Sequence, residues 1–173
     1  MSLWNFDFSH SGIQFSVRHM VITKVHGRFT SWKGGLELDG DTLSSVHVDI
    51  DTASIDTNEP KRDAHLRSAD FFDVEHHPVA TFRSTRVEQL GGERFRLVGD
   101  LTIRGITREV VLDSEFGGRG KDPWGNEHVG FSARTTLPRK EWGLNWNAAL
   151  ETGGMLVGEN VELSIEVEGT PAG

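Results

Sequence analysis

Apolar and polar residues alternate at period two through nearly the whole chain, and that pattern leaves few folds open. In the clearest case Val161, Leu163, Ile165 and Val167 point one way while Glu162, Ser164, Glu166 and Glu168 point the other. Ile13, Phe15 and Val17 repeat the pattern, as do Val46, Val48 and Ile50, and then Phe95, Leu97, Gly99, Leu101 and Ile103. Val110, Leu112, Ser114 and Phe116 form a further set, followed by Val129, Phe131, Ala133, Thr135 and Leu137. Successive side chains of a strand face opposite sides of a sheet. Each set therefore predicts an antiparallel strand with one face in a core and the other in water. Asp39-Gly40, Gly91-Gly92 and Arg104-Gly105 fall between sets and supply the positive φ that tight hairpins need. Eight or nine strands are expected, at about 3–8, 13–19, 24–38, 45–51, 79–88, 93–103, 106–116, 127–137 and 159–168.

The length of 173 residues suits one domain over 1–173. A row of antiparallel strands has exposed edges unless the sheet closes, so a barrel and a sandwich are the two candidates. Strands 24–38, 93–103 and 106–116 exceed the usual length of about 5–6 residues, which favours the barrel. One stretch breaks the alternation. Thr57-Asn58-Glu59-Pro60 sets a polar cap and an early proline before Lys61 to Ser68, the start signals of a short helix, giving an insertion around 59–74. Asp122-Pro123-Trp124-Gly125 reads as a turn with Trp124 covering a barrel end.

Composition narrows the function. Eighteen basic against 26 acidic residues give a net charge of −8, which argues against nucleic-acid binding and against docking on anionic lipid. Cysteine is absent, so disulfides, thiol nucleophiles and cysteine-based metal sites are excluded. The first residues carry no basic leader and no apolar run approaches the ~18 residues of a membrane span, so a cytoplasmic location and no stable membrane insertion are expected. Eight histidines do not fall into a zinc spacing, and His76-His77 point apart on an extended chain, so no metal site is expected. There is no G-x-S-x-G elbow and no phosphate loop. Two features stand out. His19 continues the phase of Ile13, Phe15 and Val17 into the interior, either as a core histidine or as a polar contact for a ligand's head. Arg62, Asp63 and His65 lie on the helical interruption, which is either a solvated plug or the cap of a cavity with these three at its mouth.

An ordered series of motifs gives the chain a family likeness. It runs from Asp7 and His10-Ser11-Gly12-Ile13-Gln14-Phe15-Ser16-Val17-Arg18-His19-Met20 through Val25-His26-Gly27-Arg28-Phe29. Ser54-Ile55-Asp56-Thr57, Arg62-Asp63-Ala64-His65-Leu66, Asp70-Phe71-Phe72-Asp73 and Pro78-Val79-Ala80-Thr81-Phe82 follow. Gly99-Asp100-Leu101-Thr102-Ile103-Arg104-Gly105-Ile106-Thr107, Asp122-Pro123-Trp124-Gly125, Gly130-Phe131 and Arg139-Lys140-Glu141-Trp142-Gly143 complete it. With these the chain resembles the YceI-like family of polyisoprenoid-binding, lipocalin-like proteins. The resemblance implies an extended eight-stranded antiparallel barrel around an elongated apolar pore. It also implies a bound long-chain lipid: a polyisoprenoid, a quinone precursor or a fatty-acid-like amphiphile. Many members are exported, and the chain departs from them in lacking a leader; His77 stands where an aromatic residue is usual before the proline.

Phe15, Val17, His19, Phe29, Val48, Ile50, Phe82, Leu97, Leu101, Phe131 and Ala133 are expected to face the pore, with Phe71, Phe72 and Trp142 closing it. Carriage or sequestration of such a lipid, with no cofactor, is the expected role, and mouth-to-mouth homodimerisation is compatible with it. An enzyme would need His19, Asp63 and His65 to converge on one point. A ligandless barrel would have a cavity below about 300 Å³. On this reading His19→Phe changes ligand occupancy and leaves the fold intact.

Overall fold

The computed structural model describes residues 1–151 and 153–172. The strands are β1 (Ser2–Phe6), β2 (Gly12–His19), β3 (Thr23–Phe29), β4 (Trp32–Asp39), β5 (Thr42–Asp51), β6 (Ile55–Asp56), β7 (Val79–Gly91), β8 (Arg94–Ile103), β9 (Ile106–Lys121), β10 (Glu127–Pro138) and β11 (Val157–Pro171). One helix, α1 (Pro60–Arg67), lies between β6 and β7. All strand pairs are antiparallel.

The eleven segments are eight strands, because three of the eight are bent. β1 and β2 both lie along β11; β4 and β3 lie along β1 and β2; β5 and β6 lie along β4 and β3. Counted this way, the strands run up and down in chain order, and β1–β2 meets β11 to close an eight-stranded barrel. The bends have a local cause. Asp7 and Asp51 each turn a carboxylate onto the backbone N–H two residues on, at 3.1 Å to Ser9 and to Ala53, and each starts a short turn of 3₁₀ helix. A short acidic side chain that bonds its own backbone offers an alternative to the strand ladder. The third break, at Thr30-Ser31, is tied to the second: the Thr30 N–H donates to the Ser54 carbonyl and Asp51 N–H to the Ser31 carbonyl. The stretch 24–38, expected as one strand, is therefore two.

The end of the barrel at the β4–β5 hairpin is packed solid around Trp4, Leu38 and Val129, with Leu38 fully buried. The opposite end is closed by α1 with residues 68–78, and by residues 139–151 and 153–158. α1 starts at Pro60 with Glu59 as its cap, the carboxylate accepting from the Arg62 N–H at 2.7 Å. It stops at Arg67, where both the Ser68 N–H and its hydroxyl bond the His65 carbonyl. The helix is thus shorter than the expected 59–74, and residues 68–78 are a run of turns that aims Phe71 and Phe72 at the barrel. Trp124 does not cover a barrel end. It sits at the tip of the β9–β10 turn, 83% exposed, because Asp122 fixes that turn by bonding the Trp124 and Asn126 N–H groups and so holds the ring in solvent.

Candidate functional site

Inward side chains of the barrel leave an apolar cavity of about 220 Å³ along its axis. It runs from Leu36 and Leu43 near the solid end to Phe71, Trp142 and Leu144 at the helical end. Every one of the eight strands contributes to its wall. The inward residues of β11, Leu163, Ile165 and Val167, stay only partly buried because they face this hollow instead of a packed neighbour. Two polar groups on the wall are turned away from it: Ser114 donates to the Leu112 carbonyl at 3.0 Å, and Arg139 donates only to backbone carbonyls. Burial pushes the Arg139 guanidinium below its ordinary pKa. Among the described residues, no histidine, aspartate or glutamate lines the cavity.

Two glycines make room for rings on the wall. A β-carbon on Gly27 would stand 2.3 Å from the tip of the Phe15 ring, which folds across its cross-strand partner. A β-carbon on Gly99 would meet Phe82 at 2.6 Å. Such close approach is available only where no side chain intervenes. At the helical end an aromatic chain continues from Phe15 to Phe29 at 5.7 Å and from Phe29 to Phe72 at 5.8 Å between ring centres. Phe15 also borders a shallow polar groove formed by Gln14, His26, Arg28 and Asn58 on the outside of the barrel.

Most of the sequence-predicted set is brought together here. Phe15, Phe29, Val48, Ile50, Phe71 and Phe72 line the cavity. So do Phe82, Leu97, Leu101, Phe131, Ala133 and Trp142. Trp142 is anchored by its indole N–H, which donates to the Leu101 carbonyl at 2.9 Å. Five residues are elsewhere. Val17 and His19 keep the inward phase, but they lie towards the β2–β3 hairpin turn, beyond the cavity wall. His19→Phe is therefore expected to leave co-purified ligand at the wild-type level, measured by extraction and mass spectrometry; a changed level would return His19 to the site.

Arg62, Asp63 and His65 are structural and do not line the cavity. The buried Asp63 carboxylate accepts from the Thr57 N–H and hydroxyl, and Arg62 grips Thr57 through its hydroxyl and carbonyl at 2.7 Å. Together they lock the start of α1 to the end of β6. His65 pairs with Asp70 at 2.8 Å and packs edge-on against Phe71 and Trp146. With His19 on a hairpin and Asp63 and His65 turned to different partners, the convergence needed for an acid–base site is missing. Residues missed in the sequence include Phe6, Trp32, Leu43, Leu144 and Arg139. Phe6 and Trp32 lie beside bends and Leu43 beside the β4–β5 turn and its register shift, where the alternation is interrupted, and Leu144 and Arg139 lie in irregular chain with no period to read.

The YceI-like domain description matches residues 4–169. A UPF0312 protein of Staphylococcus epidermidis is 39% identical over 173 residues, covering 97% of each chain. The solved YceI protein of Campylobacter jejuni is 29% identical with a TM-score of 0.78, covering 90% of both chains. A polyisoprenoid binding domain from Saccharophagus degradans shares the fold, with a TM-score of 0.73 at 13% identity over 99% of this chain and 100% of that one. An uninterrupted match of this extent, with closely sized relatives and the same closed barrel, makes the chain a member of the YceI-like family.

Proposed function

We propose that the barrel binds one long apolar chain, isoprenoid or acyl, threaded along its axis, and so carries or sequesters it. The supporting observation is the shape and chemistry of the cavity: a narrow, axial, almost wholly apolar hollow walled by all eight strands. Ser114 and Arg139 are already bonded to backbone and the rest of the wall is almost wholly apolar, so recognition rests on the tail. Burial of hydrocarbon contributes about 0.8 kcal/mol per methylene, and two or three isoprene units give roughly 8–12 kcal/mol gross. Immobilisation takes back several of those, which leaves room for micromolar or tighter binding. The polar head stays outside the hollow, and the groove beside Phe15 offers it Arg28, His26 and Asn58. The polyisoprenoid binding described for the Saccharophagus degradans domain agrees with this reading.

The cavity of about 220 Å³ is smaller than a drug-sized pocket, which starts near 300 Å³. It holds a segment of a long chain, and a longer portion enters when the rings of Phe15, Phe29 and Phe72 turn aside. That volume also favours a second reading, a barrel that works without a ligand. One experiment separates them. Native mass spectrometry and organic extraction of freshly purified protein should recover a long-chain lipid at near-equal ratio from the wild type. Ala133→Phe, which puts a ring into the hollow from β10, should keep the fold and thermal stability and lose most of that lipid. Lipid-free wild-type protein that also fails to take up added polyprenol or fatty acid supports the ligandless barrel.

A further inference from the structure

The seam where the barrel closes carries side chains that the cavity does not use. Asp7 at the break between β1 and β2, His128 near the start of β10 and Glu168 near the end of β11 each bring one ligand-type atom within 4.8 Å of the others. Backbone bonds hold them in place: the Asp7 N–H donates to the Glu168 carbonyl at 2.8 Å, and the Glu168 N–H to the Ser11 hydroxyl at 3.0 Å. His128 is gripped from its far side, with Asp122 Oδ2 at 2.9 Å from Nε2. Asp122 is itself fixed by the N–H groups of Trp124 and Asn126, each at 2.9 Å, and by the Asn126 amide at 3.2 Å. A carboxylate on one ring nitrogen keeps the proton there and leaves the other nitrogen as a lone-pair donor. That other nitrogen, Nδ1, is buried and has no hydrogen-bond partner. Glu168 Oε1 stands 2.6 Å from it, off the direction that a ring N–H would need. The Asp122 carboxylate, and Glu168 after it, raise the His128 pKa, so a cation that takes Nδ1 displaces the proton there and meets Asp7 and Glu168 at the same point. A second imidazole is at hand, since His10 Nδ1 lies 2.8 Å from Asp7 Oδ2 on a mostly exposed side chain.

We propose that Asp7, His128 and Glu168 bind a divalent transition metal of the zinc type across the barrel seam, with the exposed His10 ring beside Asp7 turning in as fourth ligand. A cation at this point satisfies the buried Nδ1 and both carboxylates together. Two imidazoles and two carboxylates are a donor set that zinc takes, at about 2.0–2.2 Å per bond. Calcium and magnesium prefer oxygen alone. Asp122 is a positioning residue that aims the His128 ring. The metal would cross-link strands that share only a short ladder, Trp4 to Phe6 against Gly169 to Pro171. Sequence spacing hides such a site because its members are spread from position 7 to position 168.

The test is calorimetric titration of untagged, chelator-treated full chain with Zn²⁺ alone. One zinc per chain at micromolar affinity or better is expected. His128→Ala and Glu168→Gln should each weaken it by more than about tenfold, and Asp122→Asn by about tenfold. His76→Ala, which removes the imidazole beside Asp73, should leave it unchanged. Zinc should also raise the Tm of the wild type and leave that of Glu168→Gln unmoved. Absence of saturable zinc binding by the wild type overturns the site. Equal binding by the folded Glu168→Gln variant overturns it too, and that variant decides the matter if His128→Ala fails to fold.

Discussion

Arg139→Ala is expected to destabilise the barrel by about 3–5 kcal/mol, because several carbonyls lose a charged donor at about 1.5–3 kcal/mol per such bond. The guanidinium is 3% exposed and spends its donors on carbonyls of the closing segment. Nε bonds Gly158 at 2.7 Å, one terminal nitrogen bonds Leu144 and Trp146, and the other bonds Val157 at 3.4 Å. One planar cation thus ties Leu144 and Trp146 to Val157 and Gly158 at the helical end of the barrel. Its loss leaves carbonyl oxygens unpaired in a dry setting and frees the segment that carries Leu144 and Trp146. Arg139→Lys should recover less than half of the loss, because an ammonium on a flexible stem cannot reproduce the fixed fork. Urea denaturation checks the magnitude, and limited proteolysis should show new cuts within 143–158. A loss under about 1 kcal/mol, the worth of an ordinary hydrogen bond, would sink the argument.

Phe131→Asp should prevent folding altogether. The ring is 7% exposed, lines the cavity, and packs against Phe95 at 6.1 Å and Phe116 at 5.3 Å between centres. Arg139 is the one cationic residue among the described residues on that wall, and its donors are already bonded to carbonyls. An unpaired carboxylate in an apolar interior costs more than the 5–15 kcal/mol of net stability that domains possess, unless the group takes up a proton. Phe131→Leu, a change of shape within an apolar site, should keep the native circular dichroism spectrum. Phe131→Asp should give insoluble protein or a spectrum without the strand signal. A soluble, cooperatively melting Phe131→Asp variant would mean that water reaches the lumen.

The alternation was enough to read most of the wall. Val46, Leu97, Phe131 and Ile165 face the hollow because period two admits no other choice once one face is buried. It misled at the ends. Val17 and His19 continue the same phase, yet the strand outruns the cavity, and phase alone says nothing about where along a strand the hollow stops. The break at 30–31 went unread because Thr30 and Ser31 look like ordinary alternating residues; the stops after 8 and 51 were legible, but not that the chain goes on along the same strand beyond them. The Asp7 and Asp51 turns depend on a side chain bonding its own backbone. Arg62, Asp63 and His65 were correctly grouped on a helix, but a charged cluster in a sequence does not reveal whether it faces a ligand or its own backbone. In the sequence Arg139 is legible only as part of a family-like motif; its physical role rests on four carbonyls that no sequence pattern specifies.

Because the seam joins the first strand to the last, the ring cannot form piecemeal on the ribosome. Residues 4–6 must wait for residues 169–171, roughly ten to thirty seconds later at ordinary elongation rates of about 5–20 residues per second. Throughout that interval the nascent sheet has two open edges and a bare greasy concave face. That curved half-tube stays open to solvent until translation delivers the closing strand.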